Sequence, residues 1–122
     1  MASIFDVTPL TETGMELAHR AVMHDVWLER VRQIEKFGWQ NRPPFEWKII
    51  LDEEVGEVSH EVCEVYFQGG EFSEKYRKEM VEVAAVALAA IQNYDYRKAR
   101  LDAEIQAAKE QLRGSSGRVL RS

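Results

Sequence analysis

The segment Glu54-Val55-Gly56-Glu57-Val58 recurs seven residues later as Glu61-Val62-Cys63-Glu64-Val65. A seven-residue interval returns to the same side of an α-helix. The repeat therefore places Glu54, Glu57, Glu61 and Glu64 in one stripe beside a second, apolar stripe of Leu51, Val55, Val58, Val62 and Val65. No segment of any length alternates with the two-residue period of a strand, so the expected class is all-α, four helices in a bundle.

The rest of the chain divides around that helix. Residues 1–12, with Pro9 and no sustained periodicity, read as an arm. Thr13-Gly14-Met15-Glu16 has the spacing of a capping box and opens a first helix through Lys36. Its buried stripe is expected to be Leu17, Ala21, Met23-His24, Trp27-Leu28, Val31 and Ile34, with Phe37-Gly38 as its end. Trp39-Gln40-Asn41-Arg42-Pro43-Pro44 forms a loop whose second proline suits the first turn of the next helix. Helix two is expected from about Phe45 to Phe67, closed by Gly69-Gly70, and Ser73 is the N-cap of helix three, which runs to about Gln92. Its alanines at 84, 85, 87, 89 and 90 and its few polar residues predict a central helix buried on most sides. Asn93-Tyr94-Asp95-Tyr96 marks a bend before a fourth helix, Arg97 to Arg113, which faces solvent or a partner. A flexible tail, 114–122, follows one domain, 1–113.

Composition removes several functions. A net charge of -5 argues against a protein that coats nucleic acid, yet leaves a nucleotide substrate open, because bound cations invert the sign of an acidic pocket. The longest apolar stretch, Val83 to Ile91, is too short to span a bilayer, and the N-terminus lacks a basic segment followed by an apolar run, so the expected compartment is the cytoplasm. The single cysteine, Cys63, has no partner for a disulfide or a zinc knuckle and is expected as a small buried hydrophobe. His19, His24 and His60 are scattered, without zinc spacing, and are taken as non-catalytic.

The chemistry lies with the carboxylates. Glu54 and Glu57 stand at i and i+3, as do Glu79 and Glu82, and such pairs can reach one hard cation with oxygen ligands. Either pair alone fits a solvated helix face. The second pair, however, sits at the start of an apolar helix, where charge is expensive to bury without a compensating ion. If helices two and three pack antiparallel across Gly69-Gly70, the two pairs converge. Lys75, Arg77 and Lys78 read first as surface charges, with contact to phosphate oxygens as the alternative.

Glu53-Glu54-Val55-Gly56-Glu57, twenty-one residues, then Glu79-Met80-Val81-Glu82 resembles the E-E-x-x-E, gap, E-x-x-D motif of the all-α nucleoside triphosphate pyrophosphohydrolases, the MazG-like proteins. Glu29-Arg30-Val31-Arg32-Gln33, Lys36-Phe37-Gly38-Trp39-Gln40-Asn41 and Val83-Ala84-Ala85-Val86-Ala87 are similar to segments of short phage and bacterial members. The resemblance covers about Trp27 to Ile91. One position departs: the last acid of the motif is usually aspartate, and here it is Glu82, whose longer side chain moves the oxygen donors by a methylene.

The resemblance implies Mg²⁺-dependent cleavage between the α- and β-phosphates of a nucleoside triphosphate, giving a monophosphate and pyrophosphate, with Mn²⁺ able to substitute. Glu54, Glu57, Glu79 and Glu82 would hold the metal, and Glu53 would orient or deprotonate the attacking water. Trp39 serves either to stack on a base or as a lid over the core. Gln33, Lys36, Gln40 and Asn41 offer polar groups near it, Asn93 is a candidate for sugar or phosphate, and Lys78 for phosphate. Relatives of this type assemble as homodimers or homotetramers and act in nucleotide-pool control, which makes dGTP the first expected substrate, ahead of dATP, dCTP and dUTP, in the host cytoplasm if the chain is phage-encoded. The rivals are a helical interaction module without turnover and a hydrolase of another pyrophosphate-bearing nucleotide such as phosphoribosyl-ATP.

Overall fold

The computed structural model describes residues 12–121, and side chains for residues 13–115. The described residues form three helices, α1 (Glu12–Phe37), α2 (Pro44–Gln68) and α3 (Glu74–Arg121), with no strand among them. The expected N-terminal arm lies outside the described residues.

Local chemistry accounts for most helix ends. Gly38 adopts φ 74°, a left-handed conformation that glycine accepts without a Cβ penalty, and its N–H donates to Ile34 O at 2.7 Å, closing α1. Pro44 is the first residue of α2, where its missing N–H costs nothing. Gly69, at φ 72°, ends α2 with its N–H on Val65 O at 3.1 Å. Ser73 Oγ accepts from the Lys75 N–H at 3.2 Å, the N-cap bond that starts α3. At the N-terminus, α1 begins at Glu12, so Thr13 lies inside the helix rather than capping it.

The expected four helices are three, because the bend at Asn93-Tyr94-Asp95-Tyr96 is absent and α3 continues without interruption. Those four residues include neither proline nor glycine, the usual causes of a break. Asn93, which elsewhere competes for backbone groups, has its side chain occupied in tertiary bonds. Its Oδ1 accepts from Trp47 Nε1 at 2.7 Å and from the Arg42 backbone N–H at 2.6 Å, while its Nδ2 donates to Asn41 Oδ1 at 3.0 Å. The α3 helix also runs through Gly114 and Gly117 to Arg121.

The α3 helix is the spine: both α1 and α2 pack on it, and α1 does not pack on α2. The α2–α3 hairpin is antiparallel with a regular register. From the turn outward, Lys75 pairs with Glu61, Glu79 meets Glu57, Glu82 meets Glu54, and Asn93 meets Trp47. The core is small: Trp47, Val86 and Ala89 form its cluster, flanked by Ile50, Leu51 and Ala90, with Ala85 and Val26 also buried. Ala85 and Ala89 are short enough to let neighbouring helices close in.

Burial departs from the pattern read in sequence. On α1, Leu17, Ala21, Met23, His24, Trp27 and Leu28 are exposed, Val31 and Ile34 are half-buried, and the residues turned inward are Val26 and Arg30. On α3, Ala85, Val86 and Ala89 are buried but Met80, Ala84 and Ile91 are exposed, and on α2 Val55 and Val62 are exposed. Cys63 is exposed as well, not buried. The periodicities are helical as expected, but α1 and α2 cover only two faces of α3, and apolar residues on the remaining faces find no partner among the described residues. Contiguous apolar surface of this kind is uncommon on a monomer.

The Asn93 side chain satisfies one buried and one partly buried donor at once, and each donor left unsatisfied in a protein interior costs about 1–3 kcal/mol. Asn93→Leu is expected to destabilise the fold by roughly 2–4 kcal/mol, read as a lower midpoint in urea unfolding. An unchanged midpoint would remove Asn93 from its anchoring role.

Candidate functional site

Four glutamates converge where α2 crosses α3. One carboxylate oxygen from each of Glu54, Glu57, Glu79 and Glu82 lies within 4.8 Å of the other three. The i, i+3 spacing within each pair puts two acids on one face, and the antiparallel hairpin turns the two faces together. Glu54, Glu79 and Glu82 are half-buried and Glu57 is exposed, so the cluster sits at the edge of the helix interface with one open side.

The cluster is electrostatically strained. Burial, followed by the Glu57 charge, holds the Glu54 carboxyl above its ordinary value. Burial again, with added repulsion from Glu54 and Glu29, raises Glu82. A hydrogen bond with Glu79 and the charge of Glu79 raise Glu57. None of the four forms an ion pair with a lysine or arginine among the described residues: nearby Arg32 is bound to Glu29, and Lys75 to Glu61. Glu54 Oε2 and Glu79 Oε2 are shielded from solvent and accept no hydrogen bond.

Buried, unpartnered carboxylate oxygens in a group of four fit a hard divalent cation of the Mg²⁺ or Mn²⁺ kind, which takes oxygen donors. Opposite ligands of an octahedral Mg²⁺ lie about 4.2 Å apart, twice the ~2.1 Å bond. A separation of at most 4.8 Å is of that order.

Beside the cluster lies a cavity of about 790 Å³, formed because α1 and α2 flank α3 without touching each other. Glu53 and Glu54 form its acidic edge, Trp47, Ile50, Val86 and Ala89 its apolar floor, and Asn93 its polar corner. Of the residues singled out in sequence, Gln33, Lys36, Trp39, Gln40, Asn41, Glu53 and Asn93 line this one space. Trp39 is 78% exposed and stands at the cavity, so its indole face is free to stack and it is not a lid over the core. Lys78 falls elsewhere, in a shallower groove with Asp25, Glu29 and Arg77, although its charge acts on Glu57 and Glu82. The imidazole of His60 pairs with Glu64 at 3.0 Å on the surface, away from the cavity.

Three cavity residues and one neighbour of the cluster were not found in sequence. Arg32 donates through Nε to both oxygens of Glu29, at 3.0 and 2.8 Å, and Glu82 and Glu54 act on its charge. Glu29 and Arg32 thus form the outer wall of the glutamate cluster, yet an i, i+3 Glu–Arg pair is an ordinary surface feature in sequence. Arg30 is only 8% exposed, lines the cavity, and has no ion pair among the described residues; one nitrogen, Nη1, donates to Gln33 Oε1 at 3.3 Å. Burial lowers its proton affinity. Trp47 stands four residues before Leu51, so the apolar stripe of α2 extended back to it.

Compared with family models, curated proteins and solved structures, the chain matches none of them. No helix among the described residues is long and apolar enough to cross a membrane.

The raised values of Glu54, Glu57 and Glu82 have a pH consequence. A carboxyl with a higher value in the folded than in the unfolded chain binds its proton more tightly when folded, so these groups stabilise the metal-free protein in acid and cost stability as pH rises through the raised values. A cation relieves that cost only where the acids are ionised. At pH 7.5, Mg²⁺ or Mn²⁺ at about 100 times its Kd is expected to add ~2.7 kcal/mol, on the order of 10 °C in Tm, and the gain should shrink towards pH 5. Glu54→Gln should raise the metal-free Tm and abolish the cation response. Absence of any cation-induced shift in the unsubstituted chain would rule out the metal site.

Proposed function

We propose that this chain is a divalent-cation-dependent nucleoside triphosphate pyrophosphohydrolase that cleaves between the α- and β-phosphates. The observation that carries the proposal is the junction of two features: four converging carboxylates with unpartnered oxygens, and a cavity that shares Glu54 with them. The MazG-like resemblance of the same residues supports it from sequence, with Glu82 in place of the usual aspartate.

The cavity volume falls within the range of small-molecule sites, and its wall suits an anion with an aromatic end. Arg30, Arg32, Lys36 and Arg42 place cationic groups on its lining. Trp39 would stack on the base, while Gln33, Gln40, Asn41 and Asn93 supply amides for base and sugar. Glu54, Glu57, Glu79 and Glu82 would hold Mg²⁺ at the acidic edge, where it would supply charge neutralisation at the phosphate oxygens. Glu53, exposed on the cavity side of α2, is the group placed to orient water or take its proton. The role of base is assigned to Glu53, which is outside the cluster of four. Lys78 acts on the cluster through its charge.

A purine deoxynucleotide, dGTP first, remains the proposed substrate, acting in nucleotide-pool control in the cytoplasm. Self-association as a homodimer or homotetramer is part of the same proposal, supported by the apolar side chains that the single chain leaves uncovered, among them Trp27, Phe45, Ile49 and Phe67.

A panel of ribo- and deoxynucleoside triphosphates with Mg²⁺ or Mn²⁺ should release pyrophosphate and monophosphate in equal amounts. Release of orthophosphate alone would show that another bond is cut, and no cleavage at high enzyme concentration would favour a non-catalytic module. Glu54→Gln is expected to lower turnover on the order of 100-fold or more, since even residues that merely orient a metal ligand cost 10–100-fold, with helical circular dichroism unchanged. Base stacking on an aromatic contributes about 1–3 kcal/mol, so Trp39→Ala should raise KM by roughly 5- to 100-fold and leave kcat nearly intact. An unaltered KM would take Trp39 out of ligand contact.

A further inference from the structure

The distal half of α3 carries an apolar stripe that none of the described residues covers. Every described residue from 94 to 115 is exposed, and so is Ile91. Ile91, Tyr94, Leu101, Ile105 and Leu112 are 63, 56, 55, 45 and 69% exposed. With Lys98 and Ala108 between them, these residues recur at strictly alternating steps of three and four. That is the a/d seam of a coiled coil, in which Ile91, Lys98, Ile105 and Leu112 take a positions and Tyr94, Leu101 and Ala108 take d positions. Isoleucine at a with leucine at d favours two strands side by side, and a lone lysine at a fixes register at a cost in stability. The rest of this helix face is strongly polar, so the seam is narrow and does not merge with the core.

We propose that this stripe pairs with the same stripe of a second copy of the chain as a parallel, in-register, two-stranded coiled coil. The flanking charges choose the occupant and its direction. Arg97 and Glu104 occupy g positions, and Asp102 and Lys109 occupy e positions. In a parallel pair each g residue meets the e residue five positions on in the other copy, which sets Arg97 against Asp102 and Glu104 against Lys109, each twice by symmetry. The antiparallel register that sets Ile105 against Leu101 overlaps residues 94–112 and brings Glu104 beside Glu104 and Asp102 beside Asp102, against two Asp95–Lys109 pairings. Like charges at the midpoint disfavour it. Arg97 Nη1 donates to Asn41 Oδ1 at 3.2 Å within the chain, and its remaining donors are available to the second copy. Lys98 faces its own mate in the parallel pair, which weakens association and makes it depend on concentration. The seam from 91 to 112 is about 33 Å long at 1.5 Å per residue, roughly three heptads.

This surface stands apart from the acidic cluster and the cavity and its test does not use turnover, so the cleavage reading stands or falls separately, while the self-association proposed with it shares the outcome of the dimer measurement. The full chain carrying Cys63→Ser, which removes the exposed native thiol, should show a concentration-dependent dimer in sedimentation equilibrium. Leu101→Asp with Ile105→Asp should weaken it at least 100-fold while helical circular dichroism is retained. Glu104→Lys should weaken it several-fold, adding Lys109→Glu should restore it, and Lys98→Ile should tighten it. Ala108→Cys in the same background should form an intermolecular disulfide under mild oxidation, because the two positions face each other. In the antiparallel register they would lie ten residues, about 15 Å, apart along the axis, beyond the ~7 Å Cα reach of a disulfide. A monomer at all concentrations, or a dimer indifferent to the Leu101/Ile105 pair, overturns the interface. A persistent dimer that fails to cross-link through Cys at 108, or that the charge swap does not restore, overturns the parallel arrangement.

Discussion

Asn93 holds α2 and the preceding loop to α3 by accepting the Trp47 indole N–H and the Arg42 backbone N–H on one oxygen. The Trp47 donor is taken out of water by the packing, so its bond cannot be exchanged for solvent without opening the hairpin. A slide of α2 along α3 by one turn would break both bonds together. Their geometry therefore fixes the register, and everything that follows along the hairpin inherits it. Trp47 is locked onto Val86 and Ala89, the floor of the cavity is set, and about two and three turns nearer the hairpin loop Glu54 and Glu57 are delivered to Glu82 and Glu79.

That delivery is against electrostatic preference. Four acids crowd one edge of the helix interface, and the nearby cations are turned to other partners, Arg32 to Glu29 and Lys75 to Glu61. The hairpin tolerates the repulsion because its apolar contacts and the Asn93 bonds lie on the far side of the cluster from the turn, outside the reach of the strain. A site with this tension is poised to gain from a divalent cation, and a cation is also what a polyphosphate needs beside so many carboxylates. The cavity next to it has the opposite character, with arginines and a lysine around an apolar floor. One space thus joins an acidic edge that could hold a divalent cation to a basic mouth with an exposed aromatic side chain.

The geometry also explains how so small a core leaves so much apolar surface. Two helices cover two faces of α3, and the space between them is kept open as the cavity rather than filled. The helix then extends well past the last tertiary bond, at Arg97, with side chains that alternate apolar and charged at heptad spacing. The apolar surface is thereby divided between the body of the domain and a projecting rod.

The helical class was legible in the sequence because it depends on neighbours three and four residues apart. The Glu54/Glu57 and Glu79/Glu82 pairs, the glycine ends at 38 and 69, Pro44 and the Ser73 cap are local in the same sense. Their convergence followed once an antiparallel hairpin was assumed. Asn93 was read both as a candidate ligand contact and as the start of a bend, and only its distant partners, Trp47 and Arg42, show why the helix runs straight through it. Arg30 and Arg32 look like surface charges in the sequence; their place beside the cavity and cluster depends on which side of α1 meets α3. The inward face of α1, Val26 and Arg30 rather than Leu17 or Trp27, and the exposure of Cys63 were decided the same way. Sequence by itself determined the helices, their ends and the acidic pairs, because backbone hydrogen bonding and short-range spacing fix these. Tertiary structure alone decided which faces meet, and hence which charges are buried, because burial depends on residues far apart in the chain.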